Sequence, residues 1–215
     1  MEAEEKRYKY PRTYHVPWSL GTTSDDRILP SVDHFIGKRV VVSEKLDGEN
    51  FSLYRDHLHA RSLDSGHHVS RTIIKQLHGQ IKHNIPAGWR ITGENLRAKH
   101  SILYDKLPSY FLVFGVWNEK NFCLPWDETK EWCGLLDLQT VPELYVGVWN
   151  EEKIKACWTS VSRFGPEQEG YVIRTFEGFP YAEFATHVAK LVRERHVRTS
   201  ALWMNQPMIP NQLAK

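Results

Sequence analysis

Cysteine is scarce. Cys123, Cys133 and Cys157 are the only three in 215 residues. None belongs to a C-x-x-C pair and the number is odd, which leaves no disulfide framework and fits a reducing cytoplasm. Long hydrophobic runs are missing too. The longest uncharged apolar stretch, Tyr110 to Trp117, has the length of a buried strand and is far too short to span a bilayer. The charged start Met1-Glu2-Ala3-Glu4-Glu5-Lys6-Arg7 lacks the apolar centre of a secretory signal, so no membrane partner is expected. Charge of one sign is absent: 28 Lys and Arg against 26 Asp and Glu leave a formal net charge of +2. Any phosphate binding must therefore come from local clusters of cations. No low-complexity segment or linker divides the chain, and its length suits one domain with a sizeable core, residues 1–215. The only internal echo, Gly115-Val-Trp-Asn-Glu119 and Gly147-Val-Trp-Asn-Glu151, has two copies, fewer than the three a solenoid needs, and both read as strand exits.

What is there reads as strands with a few helices. Residues 1–8 form a loose lead-in. Residues 9–31 carry Pro11, Pro17, Gly21 and Pro30 and read as loop, pinned to the body by Trp18, Leu20, Ile28 and Leu29. Strands are expected at 39–45, 50–55, 57–61, 89–95, 110–117, 144–148, 170–175 and 187–193. Val69, Ile73, Ile74, Leu77 and Ile81 recur at helical spacing, and Pro86 and Gly88 end that helix. A second helix runs to Leu136, with Asp127 as its cap and Trp132, Leu135 and Leu136 turned inward; a short third covers 150–158. Strands dominate and helices intervene irregularly, so the class is α+β rather than a parallel α/β sheet.

The chain is organised around Glu44-Lys45-Leu46-Asp47-Gly48-Glu49-Asn50, which follows Val40-Val41-Val42. A strand ending in a tight glycine turn is the natural reading, and alternation places Lys45 and Asp47 on one face. An amine beside a carboxylate that can accept its proton or hold a metal suits attack on an electrophile. K-x-D-G alone more often marks a surface salt bridge beside a turn. Further polar groups sit among apolar strand residues: Arg61, Glu94 after Thr92-Gly93, Glu169-Gly170 before Tyr171-Val172-Ile173-Arg174, and Lys190 and Arg193 in a Val-Ala-Lys-Leu-Val-Arg run. Together they offer a nucleophilic amine, carboxylates for a metal or ribose hydroxyls, and cations for phosphates. The histidine pairs His57/His59 and His67/His68 lack further ligands at zinc spacing. Lys99-His100 and the helix bearing Arg71, Lys75, Lys82 and His83 either meet RNA or are solvated surface.

These motifs, in this order, resemble the ATP-dependent RNA ligases of the covalent nucleotidyltransferase superfamily. The resemblance covers about Lys9 to Thr199 and includes the leader Tyr10-Pro-Arg-Thr-Tyr-His-Val-Pro-Trp18. It implies a nucleotidyltransferase fold whose antiparallel sheets flank an ATP cleft, with helices packed outside. It implies that Lys45 attacks the α-phosphorus of ATP and carries AMP, that AMP passes to an RNA 5′-phosphate, and that a 3′-hydroxyl then seals the strand. Glu169 and Asp47 are the implied ligands of Mg²⁺ or Mn²⁺. Lys190 and Arg193 would meet phosphate and depress the pKa of Lys45. Glu44 would lie near the adenine through its backbone, Glu94 would accept from a ribose hydroxyl, and Phe114, with Phe111 or Trp117 as alternatives, would stack on the base. Asn50 would orient the triphosphate or the acceptor, and Arg61 would contact a phosphate. Glu177-Gly178 is set aside as a rival to Glu169-Gly170, because Pro180 follows and argues against a central strand.

The pattern departs from the family in its last motif, commonly K-x-K. Here the second cation is Arg193, and period-two alternation places position 192 rather than 193 beside Lys190, unless a bulge intervenes. The sequence ends 22 residues after Arg193, at Lys215. That leaves no room for a C-terminal OB domain, so a helper protein is an expected source of RNA grip. DNA ligases and capping guanylyltransferases share the lysine chemistry but usually append such a domain. A non-sealing, nucleotide-dependent RNA-binding module is the remaining alternative.

Overall fold

A computed structural model describes residues 6–194 and 207–215. Two sheets carry the structure. The first contains β1 (Tyr14–His15), β12 (Val188–Val192), β10 (Gly170–Thr175), β2 (Arg39–Lys45) and β9 (Glu143–Val148), in that spatial order. The second runs β11 (Phe179–Pro180), β7 (Phe122–Cys123), β6 (Phe111–Trp117), β5 (Arg90–Asn95), β3 (Glu49–Tyr54) and β4 (Leu58–Ala60), with β8 (Gln139–Thr140) paired to β6. Pairings are antiparallel except β1–β12 and β6–β8. The class is α+β, as expected.

The run of three valines in β2 explains its central place. Val40 and Val42 face Phe35, Ile154, Ile173 and Ala189, while Val41 faces Leu46, Tyr104, Trp126 and Phe176 between the sheets. A strand covered on both faces needs no polar alternation, and each buried valine contributes roughly 1.5–3 kcal/mol. Helices lie outside. α1 (Thr72–Ile81) buries Ile74 and Ile81 and α2 (Trp126–Leu135) buries Cys133, both in the core on the outer face of the second sheet. α3 (Glu151–Lys155), capped by the Asn150 side chain, buries Ile154 against the first sheet. Among the described residues no helix is long and apolar enough to cross a membrane.

Two local expectations need correction. Pro125, not Asp127, occupies the N-cap of α2; Asp127 sits in the first turn, where its charge complements the helix dipole. Leu135 is 76% exposed. Trp126, Thr129 and Cys133 define the buried stripe at three- and four-residue steps, and Leu135 falls on the opposite side. The leader is mostly irregular, as its prolines suggest, with Tyr14 and His15 extending the first sheet in register with Ala189 and Lys190. Pro180 does lie in a strand, at the edge of the second sheet, where a missing N–H is tolerated.

Candidate active site

The chain crosses from one sheet to the other at the lysine. β2 ends at Lys45 and β3 begins at Glu49, leaving Leu46-Asp47-Gly48 as the link. A side chain at Gly48 would bring its Cβ within 2.5 Å of the Asn95 carbonyl oxygen and 2.9 Å of Glu94 Cγ, so the turn requires glycine. Lys45 is in register with Gly170, where a Cβ would overlap the Leu191 backbone. The two glycines thus let three strands close around one amine. Lys45 Nζ lies 2.6 Å from Glu169 Oε2, across 124 residues of sequence.

A cleft of about 470 Å³ opens between the sheets at this point. The first sheet lines it with Ser43, Lys45, Val172 and Lys190. Ser43, Val172 and Lys190 are cross-strand neighbours, so their side chains share one face. The second sheet supplies Asn50, Glu94 and Phe114, and Arg61 also lines the cleft. Asn50 is directly opposite Glu94. Phe114 owes its position to a bulge: Thr92 pairs with Gly115 and Gly93 with Val113, leaving Phe114 as the extra residue. Val113 and Val116 then both face the outer core, while Phe114 and Gly115 both face the cleft. Trp117 lines the cleft as well; Phe111 is in the outer core. The leader closes the cleft with Tyr10, Arg12 and Asp26, and Tyr10 sits edge-on to Phe114 at 5.1 Å.

The charges in this cleft are unevenly balanced. Burial pulls the Lys45 ammonium down, but Glu169, Glu94 and Asp47 overcome it and hold the pKa above the ordinary lysine value. This corrects the expectation of a depressed Lys45: the nearest charges are carboxylates. Lys190 is the depressed amine, at about 8, through burial and the Lys45 charge, against the pull of Asp26 and Glu169. Burial raises Glu169 to about 7 and Glu94 to about 8, despite the opposing charge of Lys45. Asp26 lies 4.0 Å from Lys190 and 3.2 Å from His15. Burial works against its ionised form, but hydrogen bonds from Thr23 and the charges of His15 and Lys190 hold it at about 2.

A raised carboxylate binds its proton in the folded state between its unfolded and folded pKa, so its contribution to stability falls as pH rises through that window. Glu94→Gln is therefore expected to match the wild type near pH 4.5 and to exceed it in stability at pH 8.5. Denaturant midpoints at the two pH values check this; the buried histidines shift both proteins equally. A constant difference would mean that Glu94 is not buried in its charged form.

Two expected site residues are turned elsewhere, and a third, Glu169, meets Lys45 without being among the cleft-lining residues. Asp47 is not among the cleft-lining residues. Its Oδ2 accepts from Ser101 N and Oγ, both at 2.7 Å, and from Ile102 N at 2.9 Å. With β2 ending at Lys45, strand alternation no longer applies at Asp47, and this carboxylate caps a loop rather than presenting itself to a metal. Arg193 is also outside the cleft. β12 keeps its register through Val192, no bulge forms, and Arg193 pairs with Glu167 at 3.2 Å while its N–H donates to the Glu169 carbonyl. Glu44 is 2% exposed, with its carboxylate accepting from Arg163 N at 3.1 Å.

Sequence reading missed the brace behind the lysine. Asp47 N donates to the Tyr104 hydroxyl at 2.9 Å, and Tyr104 N donates to Asn211 Oδ1 at 2.9 Å. Asn211 Nδ2 donates to the Leu96 carbonyl at 2.8 Å and the Ala98 carbonyl at 3.3 Å. One buried amide thus ties the 96–104 loop to the C-terminal segment and, through Tyr104, to the lysine turn. Asn211→Ala strands several buried backbone groups, and is expected to cost about 2–4 kcal/mol at ~1–3 kcal/mol per unsatisfied group. Equilibrium urea unfolding measures it; a loss below about 0.5 kcal/mol would show the brace to be dispensable.

The RNA ligase family model matches residues 38–192. No curated protein matches the chain. Among solved structures, an apo lysine-to-alanine variant of Naegleria gruberi RNA ligase is 19% identical, with a TM-score of 0.58 over 87% of this chain and 62% of that one. The same organism's RNA ligase with PPi is 18% identical, with a TM-score of 0.55 over 88% and 61%. Another lysine-to-alanine variant, with ATP and Mn, is 17% identical, with a TM-score of 0.55 over 87% and 63%. At these identities the likeness is one of fold, and the chain spans about three-fifths of the length of the structures it matches.

Proposed function

The chain belongs to the RNA ligase family, and from that footing we propose that it is an ATP-dependent RNA ligase acting through a lysyl-AMP intermediate, with the described elements forming one nucleotidyltransferase domain. The observation that carries this reading is the position of Lys45. Its amine ends a strand inside a cleft, 2.6 Å from Glu169 Oε2, with Glu94, Lys190 and Arg61 lining the same space. An amine, nearby carboxylates and two further cations around one cavity support nucleotidyl transfer.

The donor set fits a nucleotide with a divalent cation. Glu169 and Glu94 are raised because burial outweighs the nearby cations, which leaves them with unused capacity for positive charge. Asn50 Oδ1 is buried without a partner among the described residues and is available to a ligand donor. Glu169 would hold Mg²⁺ or Mn²⁺; such an ion, when bound, neutralises charge on phosphate oxygens. Phe114 and Tyr10 offer ring faces and edges for the adenine, and Glu94 an acceptor for a ribose hydroxyl.

Three transfers follow. Lys45, having lost its proton to solvent, attacks the α-phosphorus of ATP; a P–N bond forms and the P–O bond to pyrophosphate breaks. An oxygen of the RNA 5′-phosphate then displaces the lysine, which regains a proton, and AMP is carried on the RNA end. The 3′-hydroxyl of the second end attacks that 5′-phosphorus, forming the phosphodiester and releasing AMP. Lys190 and Arg61 meet the charge that builds on the phosphate oxygens. Incubation with α-labelled ATP and Mg²⁺ or Mn²⁺, followed by a denaturing gel, is expected to show a labelled chain. Nicked duplexes with 3′-hydroxyl and 5′-phosphate ends, in all-RNA, all-DNA and mixed forms, are expected to be sealed when the ends are RNA. No label on the wild-type protein would overturn the proposal, and equal sealing of DNA nicks would overturn its substrate.

A further inference from the structure

We infer that the groove beside the cleft mouth is the path of a single-stranded RNA end, a reading that rests on the ligase proposal and names where its substrate lies. The groove holds about 480 Å³ and is lined by Arg12, Tyr14, Arg27 and Tyr181 among others. Pro11 and Arg12 line both this groove and the lysine cleft, so the two spaces adjoin along the leader. A polymer can lie in one with its end in the other; a free nucleotide needs only the cleft.

The chemistry of the groove fits a phosphodiester strand. Arg27 Nη1 donates to the Tyr14 hydroxyl at 2.8 Å, and the guanidinium stands 5.7 Å from the Tyr14 ring centre. Arg12 Nη1 donates to the Asp25 carbonyl at 2.6 Å. A guanidinium has five N–H donors, and among the described residues neither arginine is paired with a carboxylate. Both side chains are exposed, yet each is fixed at one nitrogen, which leaves the rest of the fork directed by the leader. Asp25, whose carbonyl accepts from Arg12, forms no ion pair with either arginine among the described residues. Asp26 is committed to His15 and Lys190, and Glu183 lies 3.5 Å from His187. Tyr181 is held in place by its hydroxyl on the Lys9 carbonyl, at 2.6 Å, and by edge packing on Trp117 at 5.8 Å. Fixed tyrosines beside unpaired guanidiniums offer what single-stranded binding uses, stacking surface for bases and donors for phosphates. Tyr14 is in register with Ala189, one residue before Lys190, so its side chain lies on the face of the first sheet opposite that amine, and the approach to the cleft runs past Pro11 and Arg12.

Arg27 lines only the groove, so it separates RNA binding from nucleotide capture. The test measures binding of a 5′-phosphorylated 12-nucleotide RNA to the full chain across a salt series, for wild type, Arg27→Ala and Arg27→Glu. Lysine labelling by ATP is measured alongside. Arg27→Ala is expected to lower the slope of log K against log salt by about 0.7, the value of one single-strand phosphate contact. Arg27→Glu should weaken binding about tenfold or more at low salt, with labelling at the wild-type rate. RNA binding equal to wild type in both variants overturns the inference, and so does a wild-type chain that binds no RNA. A parallel loss of ATP affinity would assign Arg27 to the nucleotide and overturn it as well. Absence of labelling in the wild type would instead strike the ligase reading, while the RNA comparison remains interpretable.

Discussion

Lys45→Ala is expected to abolish covalent capture of AMP, with labelling reduced at least about a thousandfold, to the detection limit. The expectation is not trivial, because the cleft contains a second amine. Lys190 has the lower pKa, about 8, and at pH 7.5 it is neutral more often than Lys45, which the carboxylates hold above the ordinary value. Basicity alone would choose Lys190. The ligase proposal places the attack at Lys45. That lysine lies at the strand end beside the Gly48 turn, whereas Lys190 is in the middle of β12, between Asp26 and Glu169 in charge. Nucleophilic attack depends on placement in line with the leaving group more than on the pKa gap between the two amines, since orientation supplies roughly 7–11 kcal/mol in well-held reactions. Lys45→Arg should be equally inactive, because a guanidinium stays protonated. Lys190→Ala should label about 10–100-fold more slowly but still at Lys45, as the loss of one cation facing a developing charge. Peptide mapping of the labelled wild-type chain decides between them. Label on Lys190, or label surviving in Lys45→Ala, would reverse the assignment.

How much of this was legible beforehand depends on the range of the interaction that fixed each feature. β2, β3, β5, β6, β10 and β12 were readable because buried strands announce themselves by apolar composition over five to seven residues. Lys45, Glu94, Glu169 and Lys190 are readable as motifs; the antiparallel register brings Lys45, Glu94 and Lys190 to one cavity and sets Glu169 against Lys45. Phe114 lines the cleft together with its neighbour Gly115, an arrangement that alternation does not give and that the bulge opposite Thr92 and Gly93 produces. Asp47 was misplaced because alternation was carried past the end of the strand. Arg193 was doubtful for a sound reason, its parity, and the unbroken register leaves it outside. Asn211 and Tyr104 had no local signal, since their partners lie about a hundred residues away. The pKa of Lys45 was misread because a sequence counts charges without their distances, and Glu169 is nearer than any cation.

That same proximity gives Glu169→Gln two opposed consequences. The glutamine keeps the shape and a hydrogen-bonding oxygen for Lys45 but removes the negative charge that most strongly sustains its proton. Burial then dominates, and the Lys45 pKa should fall; NMR of a labelled lysine side chain reads this without ATP or metal. A more easily deprotonated amine, by itself, makes a faster nucleophile at neutral pH. Against this, on the ligase proposal the protein loses the carboxylate assigned to hold positive charge beside the reacting phosphate, a contribution of roughly 3–4 kcal/mol, or 10²–10³ in rate, for a well-aimed electrostatic group. A carboxylate that merely restrained the lysine would yield faster labelling on removal. A carboxylate that organises charge around the phosphates would yield slower labelling despite the lower pKa. The second outcome is expected: labelling about 100-fold slower, with the Lys45 pKa below that of the wild type. Faster labelling would reduce Glu169 to a restraint and move the cation site to Glu94, the other raised carboxylate of the cleft.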